Sequence, residues 1–144
     1  MHLPLPREAV FAFFAEADNL EGITPPELRF RVTGPPEGGI REGALIRYRL
    51  RLFGVPFGWL TEIARWDPPR LFVDQQIKGP YTLWHHTHTF TEEAGGTRIE
   101  DEVRWRLPLW PLGEVAYPLV KWQLDRIFDY RQQAIRRLLL GTTG

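Results

Sequence analysis

The middle of the chain alternates between apolar and polar side chains, which is the pattern of antiparallel strands with one buried face. In residues 44–52 the apolar positions share one face, namely Ile46, Tyr48, Leu50 and Leu52. The positions between them share the opposite face, namely Arg47, Arg49 and Arg51. Similar runs, each ended by turn residues such as glycine or proline, predict about six antiparallel strands.

Two hairpins can be placed in register from this alternation. A turn at Gly54-Val55 would pair Phe53 with Pro56 and align three further pairs: Arg47 with Glu62, Tyr48 with Thr61, and Leu50 with Trp59. A turn at residues 93–96 aligns four pairs: Phe90 with Ile99, His88 with Asp101, His86 with Val103, and Trp84 with Trp105. In each hairpin the paired residues agree on which face is buried.

Helical periodicity occurs near both ends of the chain. Residues 6–15 predict a short amphipathic helix, because Pro6 suits a first helical turn and apolar residues recur at helical spacing after it. Pro118 predicts either the start of a long helix or a kink in it. The apolar stripe of that helix crosses about five turns and is interrupted by Arg131; it consists of Val120, Leu124, Ile127, Phe128, Ala134, Ile135, Leu138 and Leu139.

These elements together predict an α+β fold. An antiparallel sheet with one apolar face can bury that face by curling around the long C-terminal helix. The short helix near the N-terminus would pack beside them. The space between the sheet and the long helix is then the natural position for a pocket.

The strand that follows Gly79-Pro80 has the most informative face. Alternation places Trp84, His86, His88 and Phe90 on one side, so two imidazoles occupy positions where a plain core would have Val or Ile. Buried polar groups are costly unless they have partners, so this face predicts a lined cavity. The residues predicted to line it and bind a ligand are Tyr48, Trp59, Thr61, Trp84, His86, His88, Asp101, Trp105 and Arg131.

Composition narrows the class of protein. The 144 residues fit one domain, residues 1–144, and the formal net charge of zero argues against a nucleic-acid partner. The absence of cysteine excludes disulfides and thiolate metal sites. No apolar run approaches the roughly 20 residues that cross a bilayer, and no secretory pattern opens the chain, so we predict a cytoplasmic protein without a transmembrane segment.

Several segments carry a resemblance to a known superfamily. They are residues 6–14, residues 43–48, Gly79-Pro80-Tyr81 with the histidine strand, Gly96-Thr97-Arg98 leading to Asp101, and residues 127–131. Together they resemble the START-like superfamily, also called SRPBCC or helix-grip proteins, which includes the major birch-pollen allergen. The chain looks most like the bacterial polyketide cyclase/dehydrase-like branch. The resemblance implies a helix-grip fold with a ligand-binding cavity.

One feature departs from this superfamily. Its members usually open with a full strand, whereas only residues 1–5 precede the first helix here, and Pro4 cannot donate a hydrogen bond to a neighbouring strand. A short first strand could leave its neighbour open for pairing with a second copy of the chain. A homodimer is therefore one hypothesis for the assembly.

The histidine strand admits three interpretations. A hydrogen bond between His88 and Asp101 would satisfy both groups inside the sheet. The same two residues would be catalytic if the protein is an enzyme, with Asp101 orienting His88 as a general base. A metal site of His86, His88 and Asp101 is geometrically conceivable, but His86 and His88 with Glu92 match the cupin pattern only in part and no histidine follows. We predict neither a metal nor a cofactor.

The orientation of three polar side chains is left open. Arg131 could pair with a ligand carboxylate or phosphate, or its head could reach Asp74, Asp101 or solvent. Asp74 and Gln76 would face outward if Gly79-Pro80 forms a two-residue loop, and inward if one bulge intervenes.

Three classes of function remain. The predicted one is a carrier or sensor that binds a small hydrophobic or aromatic molecule such as a lipid, quinone or polyketide. A cyclase, dehydratase or isomerase would use His88 and Asp101 in the same cavity. An interaction module would have a filled core in place of the cavity.

Overall fold

The computed structural model describes residues 1–108 and 112–141 of the chain. Its strands are β1 (His2–Leu3), β2 (Arg31–Gly34), β3 (Leu45–Leu52), β4 (Val55–Asp67), β5 (Leu71–Lys78), β6 (Leu83–Glu93) and β7 (Gly96–Arg106). Its helices are α1 (Arg7–Phe14), α2 (Asn19–Gly22), α3 (Leu112–Val115) and α4 (Tyr117–Leu140), with a 3₁₀ turn at Pro26–Leu28. The described strands form one antiparallel sheet in the order β1-β7-β6-β5-β4-β3-β2. The predicted α+β helix-grip fold is confirmed, with seven strands where about six were expected.

Both predicted helices are present. Pro6 immediately precedes α1, which buries Val10, Phe11 and Phe14. Pro118 lies in the first turn of α4, so it marks the start of the helix and causes no kink, because an N–H at that position would have no helical partner. Helix α4 is capped by Gly141, whose φ of 67° is a left-handed conformation that glycine adopts without steric cost. No helix among the described residues is both long enough and apolar enough to cross a lipid bilayer.

The β3–β4 hairpin differs from the predicted register by two residues. Leu52 pairs with Val55, so the turn is Phe53-Gly54, and Tyr48 lies opposite Trp59. Phe53 and Gly54 have φ angles of 52° and 79°, as a type I′ hairpin turn requires. A shift of two residues leaves every side chain on its predicted face, so the arginine face remains exposed.

The β6–β7 hairpin has the predicted register, and all four predicted pairs are observed. On the other side of β6, Asp74 lies opposite His86, which brings its carboxylate to the face of the two buried histidines. Gln76 instead holds the β5–β6 connection, since its Nε2 donates to the Tyr81 carbonyl at 2.6 Å and its Oε1 accepts from the Tyr81 amide at 3.1 Å.

The solid core lies beneath the C-terminal half of α4. There Ala134 and Ile135 pack with apolar side chains from α1, β1, β5, β6 and β7, and Phe90 of β6 is only 1 % exposed. The earlier turns of α4 face a cavity instead. The fold therefore separates a packed end, which stabilises the domain, from a hollow end.

Candidate functional site

A cavity of about 130 Å³ lies between the sheet and α4. Leu124, Ile127, Phe128 and Arg131 of α4 form part of its lining. Seven of the nine predicted site residues also line it: Tyr48, Trp59, Thr61, Trp84, His86, His88 and Arg131. The other two, Asp101 and Trp105, lie outside this lining, along a groove between β7 and α4.

Three aromatic rings form one wall of the cavity. The centroid distances are 5.3 Å between Trp59 and Trp84, 5.7 Å between Trp59 and Tyr81, and 5.0 Å between Tyr81 and Trp84. Sequence reasoning did not assign Tyr81 to the site, although its position directly after Gly79-Pro80 was part of the family resemblance. Burial raises the pKa of Tyr81 to about 12, so its phenol is neutral at physiological pH.

The Thr61 hydroxyl oxygen accepts hydrogen bonds from two other residues of the lining. The Tyr48 hydroxyl donates to Thr61 Oγ1 at 2.6 Å, and the Trp59 indole N–H donates to the same oxygen at 3.0 Å. Burial, with the nearby Asp74 charge, raises the pKa of Tyr48. Tyr48 is therefore a neutral donor, and the Thr61 oxygen holds both aromatic side chains, Tyr48 and Trp59, in one orientation.

The His–Asp cluster consists of Asp74, His86, His88 and Asp101. His88 Nε2 lies 2.6 Å from Asp74 Oδ2, and His86 Nε2 lies 2.8 Å from Asp101 Oδ1. The two imidazole centroids lie 3.7 Å apart with their ring planes tilted by 30°, and the Phe72 ring stacks on His88 at 4.0 Å. Both histidines are 3 % exposed, so each imidazole is held by one carboxylate away from water.

This pairing corrects the predicted hydrogen bond between His88 and Asp101. The two residues are opposite each other in the sheet, as predicted, and His88 Nδ1 lies 3.2 Å from Asp101 Oδ1. However, that nitrogen makes no hydrogen bond, because Asp101 bonds to His86 on the diagonal. Asp74, which the sequence left undecided, takes the place at His88.

The cluster separates the protonation states of its two histidines. Burial, followed by the neighbouring His88, lowers the pKa of His86 to about 4. Burial also opposes the charge of His88, but its contacts with Asp101 and Asp74 outweigh this and raise its pKa. The same imidazoles overcome burial at both carboxyl groups and hold their pKa values below the usual range. These directions favour ionised carboxylates, a charged His88 and a neutral His86.

This arrangement gives an expected pH dependence of stability. Between about pH 6.5 and 4, His86 is protonated in the unfolded chain but stays neutral in the folded chain, because folding lowers its pKa. The free energy of unfolding therefore falls as the pH falls through this range. His88 acts in the opposite direction: its contribution is complete below about pH 6.5 and is lost as the pH rises through its raised folded pKa. We expect the free energy of unfolding to be largest near pH 6.5, with slopes of order 1 kcal/mol per pH unit on either side.

Urea denaturation across this pH range measures both slopes. His86→Gln should flatten the acid side and His88→Gln the alkaline side, whereas His85→Gln, on the opposite face of β6, serves as the control and should leave both slopes in place. A wild-type stability that rises steadily from pH 4 to 9 would contradict this account of the cluster.

Asp74, His86 and His88 are the described residues that could hold a metal ion, because their ligand atoms lie within 4.8 Å of one another. A Zn²⁺ ion would require such atoms to converge at about 2.0–2.2 Å from one point. Here the imidazole nitrogens and carboxylate oxygens instead bond to one another at 2.6 and 2.8 Å. The three side chains are therefore engaged in hydrogen bonds and do not converge on one point, and the absence of a metal stays a prediction.

Arg131 projects from α4 into the cavity lining. No carboxylate in residues 1–108 or 112–141 lies within 4.0 Å of its guanidinium, and its buried Nε has no hydrogen-bond partner. The guanidinium carbon lies 5.5 Å from the centre of the Phe128 ring. The sequence left open whether the Arg131 head pairs with a ligand or reaches Asp74, Asp101 or solvent. The structure shows no direct ion pair with Asp74 or with Asp101.

Several solved structures share this fold. TTHA0849 from Thermus thermophilus is 22% identical, with 99% of this chain and 96% of that chain covered and a TM-score of 0.71. A START superfamily protein from Mycobacterium smegmatis is 11% identical, with 99% and 95% covered and a TM-score of 0.68. Ara h 8.0201 is 18% identical, with 99% and 95% covered and a TM-score of 0.66. These likenesses confirm the predicted START-like fold.

No curated protein matches the chain. One family model does match, over residues 25–139, and its description is "Domain of unknown function (DUF8410)". The matched segment contains strands β2 to β7 and all but the last residue of α4, and so every residue of the His–Asp cluster as well as Arg131. The chain belongs to the DUF8410 family.

Proposed function

We propose that this chain binds a small hydrophobic or aromatic molecule that carries an acidic group, and that it acts as a carrier or a sensor. The binding site is the cavity between the sheet and α4. The observation that carries the proposal is the guanidinium of Arg131, which lies in a mainly apolar and aromatic lining without a carboxylate partner among the described residues.

The volume of the cavity limits the size of the ligand. A dry cavity of about 150 Å³ in another protein accepts benzene, whereas most drug-sized ligands occupy about 300–1,000 Å³. At about 130 Å³, this cavity favours a molecule with one ring over a long-chain lipid. The same space counts against the third hypothesis, an interaction module with a filled core.

The unused donors of Arg131 favour an acidic group on that ligand. A guanidinium offers a planar pair of N–H groups that matches a carboxylate, and such charged hydrogen bonds are the strong ones in a site that excludes water. The nearby Asp74 carboxylate is hydrogen-bonded to His88 at 2.6 Å and lies more than 4.0 Å from the guanidinium, so it does not occupy these donors. An incoming carboxylate would therefore find one cation with free donors.

The hydrogen bonds within the His–Asp cluster favour binding of a ligand over catalysis. A general base must come within hydrogen-bond reach of the proton that it removes. Here Nε2 of His86 and Nε2 of His88 are both directed at carboxylates, at 2.8 and 2.6 Å. The cluster thus supports the wall of the cavity, and the pKa of about 4 makes the remaining nitrogen of His86, Nδ1, a weak base at neutral pH, which is why we propose a carrier or sensor and not a cyclase or dehydratase.

Binding of benzoate, with benzyl alcohol as its neutral counterpart, tests the proposal. Isothermal titration calorimetry should give tighter binding of benzoate, and Arg131→Met should weaken benzoate binding by about tenfold or more, because it removes a charged hydrogen-bond donor. The same substitution should leave benzyl alcohol binding within about twofold. Arg137→Met, on the exposed side of the same helix, is the matched control and should change neither.

A second pair of variants tests the location of the site. Leu124→Trp places a large side chain in the cavity lining and should abolish binding of both probes, while Leu119→Trp, at a 52 % exposed position of the same helix, should not. Benzoate binding that ignores Arg131→Met would overturn the acidic-group assignment. Failure of both probes to bind at all would overturn the ligand-binding proposal itself.

A further inference from the structure

The outer edge of β7 is largely unpaired. Strand β1 covers it only at Thr97 and Arg98, and Met1 extends this pairing to Ile99, whose amide donates to the Met1 carbonyl at 2.8 Å. No other residue in the described ranges, 1–108 and 112–141, pairs with this edge from Glu100 to Arg106. A strand edge with free N–H and C=O groups is a template for another strand.

The backbone geometry identifies which groups are free. The Ile99 amide points away from β6, toward β1, and backbone groups alternate in direction along a strand. Asp101, Val103 and Trp105 therefore also direct their N–H and C=O groups outward. Conversely, the Arg106 carbonyl accepts from the Thr82 amide on the β6 side at 3.0 Å, which confirms the alternation.

We propose that two copies of this chain associate through antiparallel pairing of their β7 edges, about a two-fold axis at Val103. In this register Val103 lies opposite the partner's Val103, and Asp101 lies opposite the partner's Trp105. These are the residues with outward-facing backbone groups, so each pair exchanges two hydrogen bonds between the copies. The result is a sheet that continues from one copy into the other.

The charges on the exposed face of β7 are self-complementary in this register. Glu100 lies opposite the partner's Arg106, and Glu102 lies opposite the partner's Arg104. The side chains of Glu100, Glu102 and Arg104 are 58, 68 and 72 % exposed, so they are free to turn toward a second copy. The existing ion pairs, Arg104 with Glu102 and Arg98 with Glu100, are exposed and contribute little to stability, so exchanging them across the interface carries little cost.

The neighbouring registers are disfavoured by the same charges. A shift of two residues in one direction brings Glu102 opposite the partner's Glu102, and a shift in the other direction brings Arg104 opposite the partner's Arg104. Like charges directly opposite each other destabilise strand pairing. Only the register centred on Val103 pairs every exposed charge from Glu100 to Arg106 with an opposite one.

The approach to this edge is open in the structure. A groove of about 730 Å³ runs between β7 and α4, with Trp105 and Tyr117 stacked at 4.9 Å along it. Tyr117 is 44 % exposed in the single chain. Asp101, which supports His86 from the same strand, lines this groove, so the interface lies directly behind the His–Asp cluster.

Sedimentation velocity over a concentration series tests the proposal on the whole chain. Wild type should form a dimer that weakens at high salt, because exposed charges are screened. Val103→Pro removes an outward N–H without touching the β6 pairing and should give a monomer, since proline is tolerated where its missing N–H faces solvent. Arg104→Glu should raise the dimer dissociation constant by at least about tenfold, because it opposes two like charges.

A charge exchange separates this interface from any other. The double variant Glu102→Arg with Arg104→Glu restores opposite pairs and should recover the dimer, while Arg49→Glu, on the exposed face of β3, should leave wild-type association unchanged. If Val103→Pro fails to fold by circular dichroism, the loss and recovery at Glu102 and Arg104 still decide. A monomer at every concentration, a dimer that persists in folded Val103→Pro, or failure of the charge exchange would overturn the proposal.

Discussion

Replacing Asp74 with alanine is expected to lower the free energy of unfolding at neutral pH by about 3–5 kcal/mol. Asp74 Oδ2 accepts a hydrogen bond from His88 Nε2 at 2.6 Å, and His88 is 3 % exposed. The substitution removes the hydrogen-bonded partner of a buried imidazole whose pKa the two carboxylates raise, and it leaves only Asp101 nearby, at 3.2 Å and without a hydrogen bond. Urea denaturation followed by tryptophan fluorescence measures the loss.

Two further variants show whether that loss comes from an uncompensated charge. Asp125→Ala breaks an exposed ion pair with Lys121 and should change stability by no more than about 0.5 kcal/mol. The double variant Asp74→Leu with His88→Leu removes both partners and should be more stable than Asp74→Ala, because no unpaired charge remains. A loss below about 1 kcal/mol in Asp74→Ala would contradict the description of the cluster as a buried ion pair.

Replacing Phe90 with alanine is expected to cost a similar amount, about 3–5 kcal/mol. Phe90 is 1 % exposed, and its ring centroid lies 5.2 Å from that of Phe11 and 5.3 Å from that of Phe14. The substitution would remove the side chain that joins α1 to β6 and leave a cavity in the packed end of the fold. Thermal or urea denaturation measures the change.

The control for this substitution is another large aromatic residue. Trp122 is 60 % exposed on α4, so Trp122→Ala should change the free energy of unfolding by about 0.5 kcal/mol or less. If Phe90→Ala and Trp122→Ala cost the same, the assignment of Phe90 to a tightly packed core would be wrong.

The sequence predicted the sheet better than its turns. The β6–β7 register followed from four pairs that agreed on one alignment, and it is confirmed. The β3–β4 register was wrong by two residues, because alternation is unchanged by an even shift. The deciding feature was a positive φ at Phe53, which bulky residues rarely adopt and which no sequence pattern indicated.

The hydrogen-bond partners of the site residues were harder to predict from the sequence than the identity of those residues. The face of Asp74 depends on irregularities in the β4–β5 pairing and on the length of the β5–β6 connection, and one residue of difference reverses it. Its choice of His88, and the choice of His86 by Asp101, depend on diagonal contacts that the register alone does not fix. Arg131 was identified from its position on the apolar side of α4, but its lack of a carboxylate partner among the described residues required the structure.

The central claim is that an apolar cavity holds a small acidic ligand against Arg131. The most direct test is a titration of isotope-labelled protein with benzoate, followed by NMR at the Arg131 Nε–H and at the indole N–H groups of Trp59 and Trp84, which line the cavity. Saturable shifts at these three groups, with the exposed indole of Trp122 unchanged, are the expected result. Resonances that do not move, or that move no more than Trp122 does, would contradict the claim.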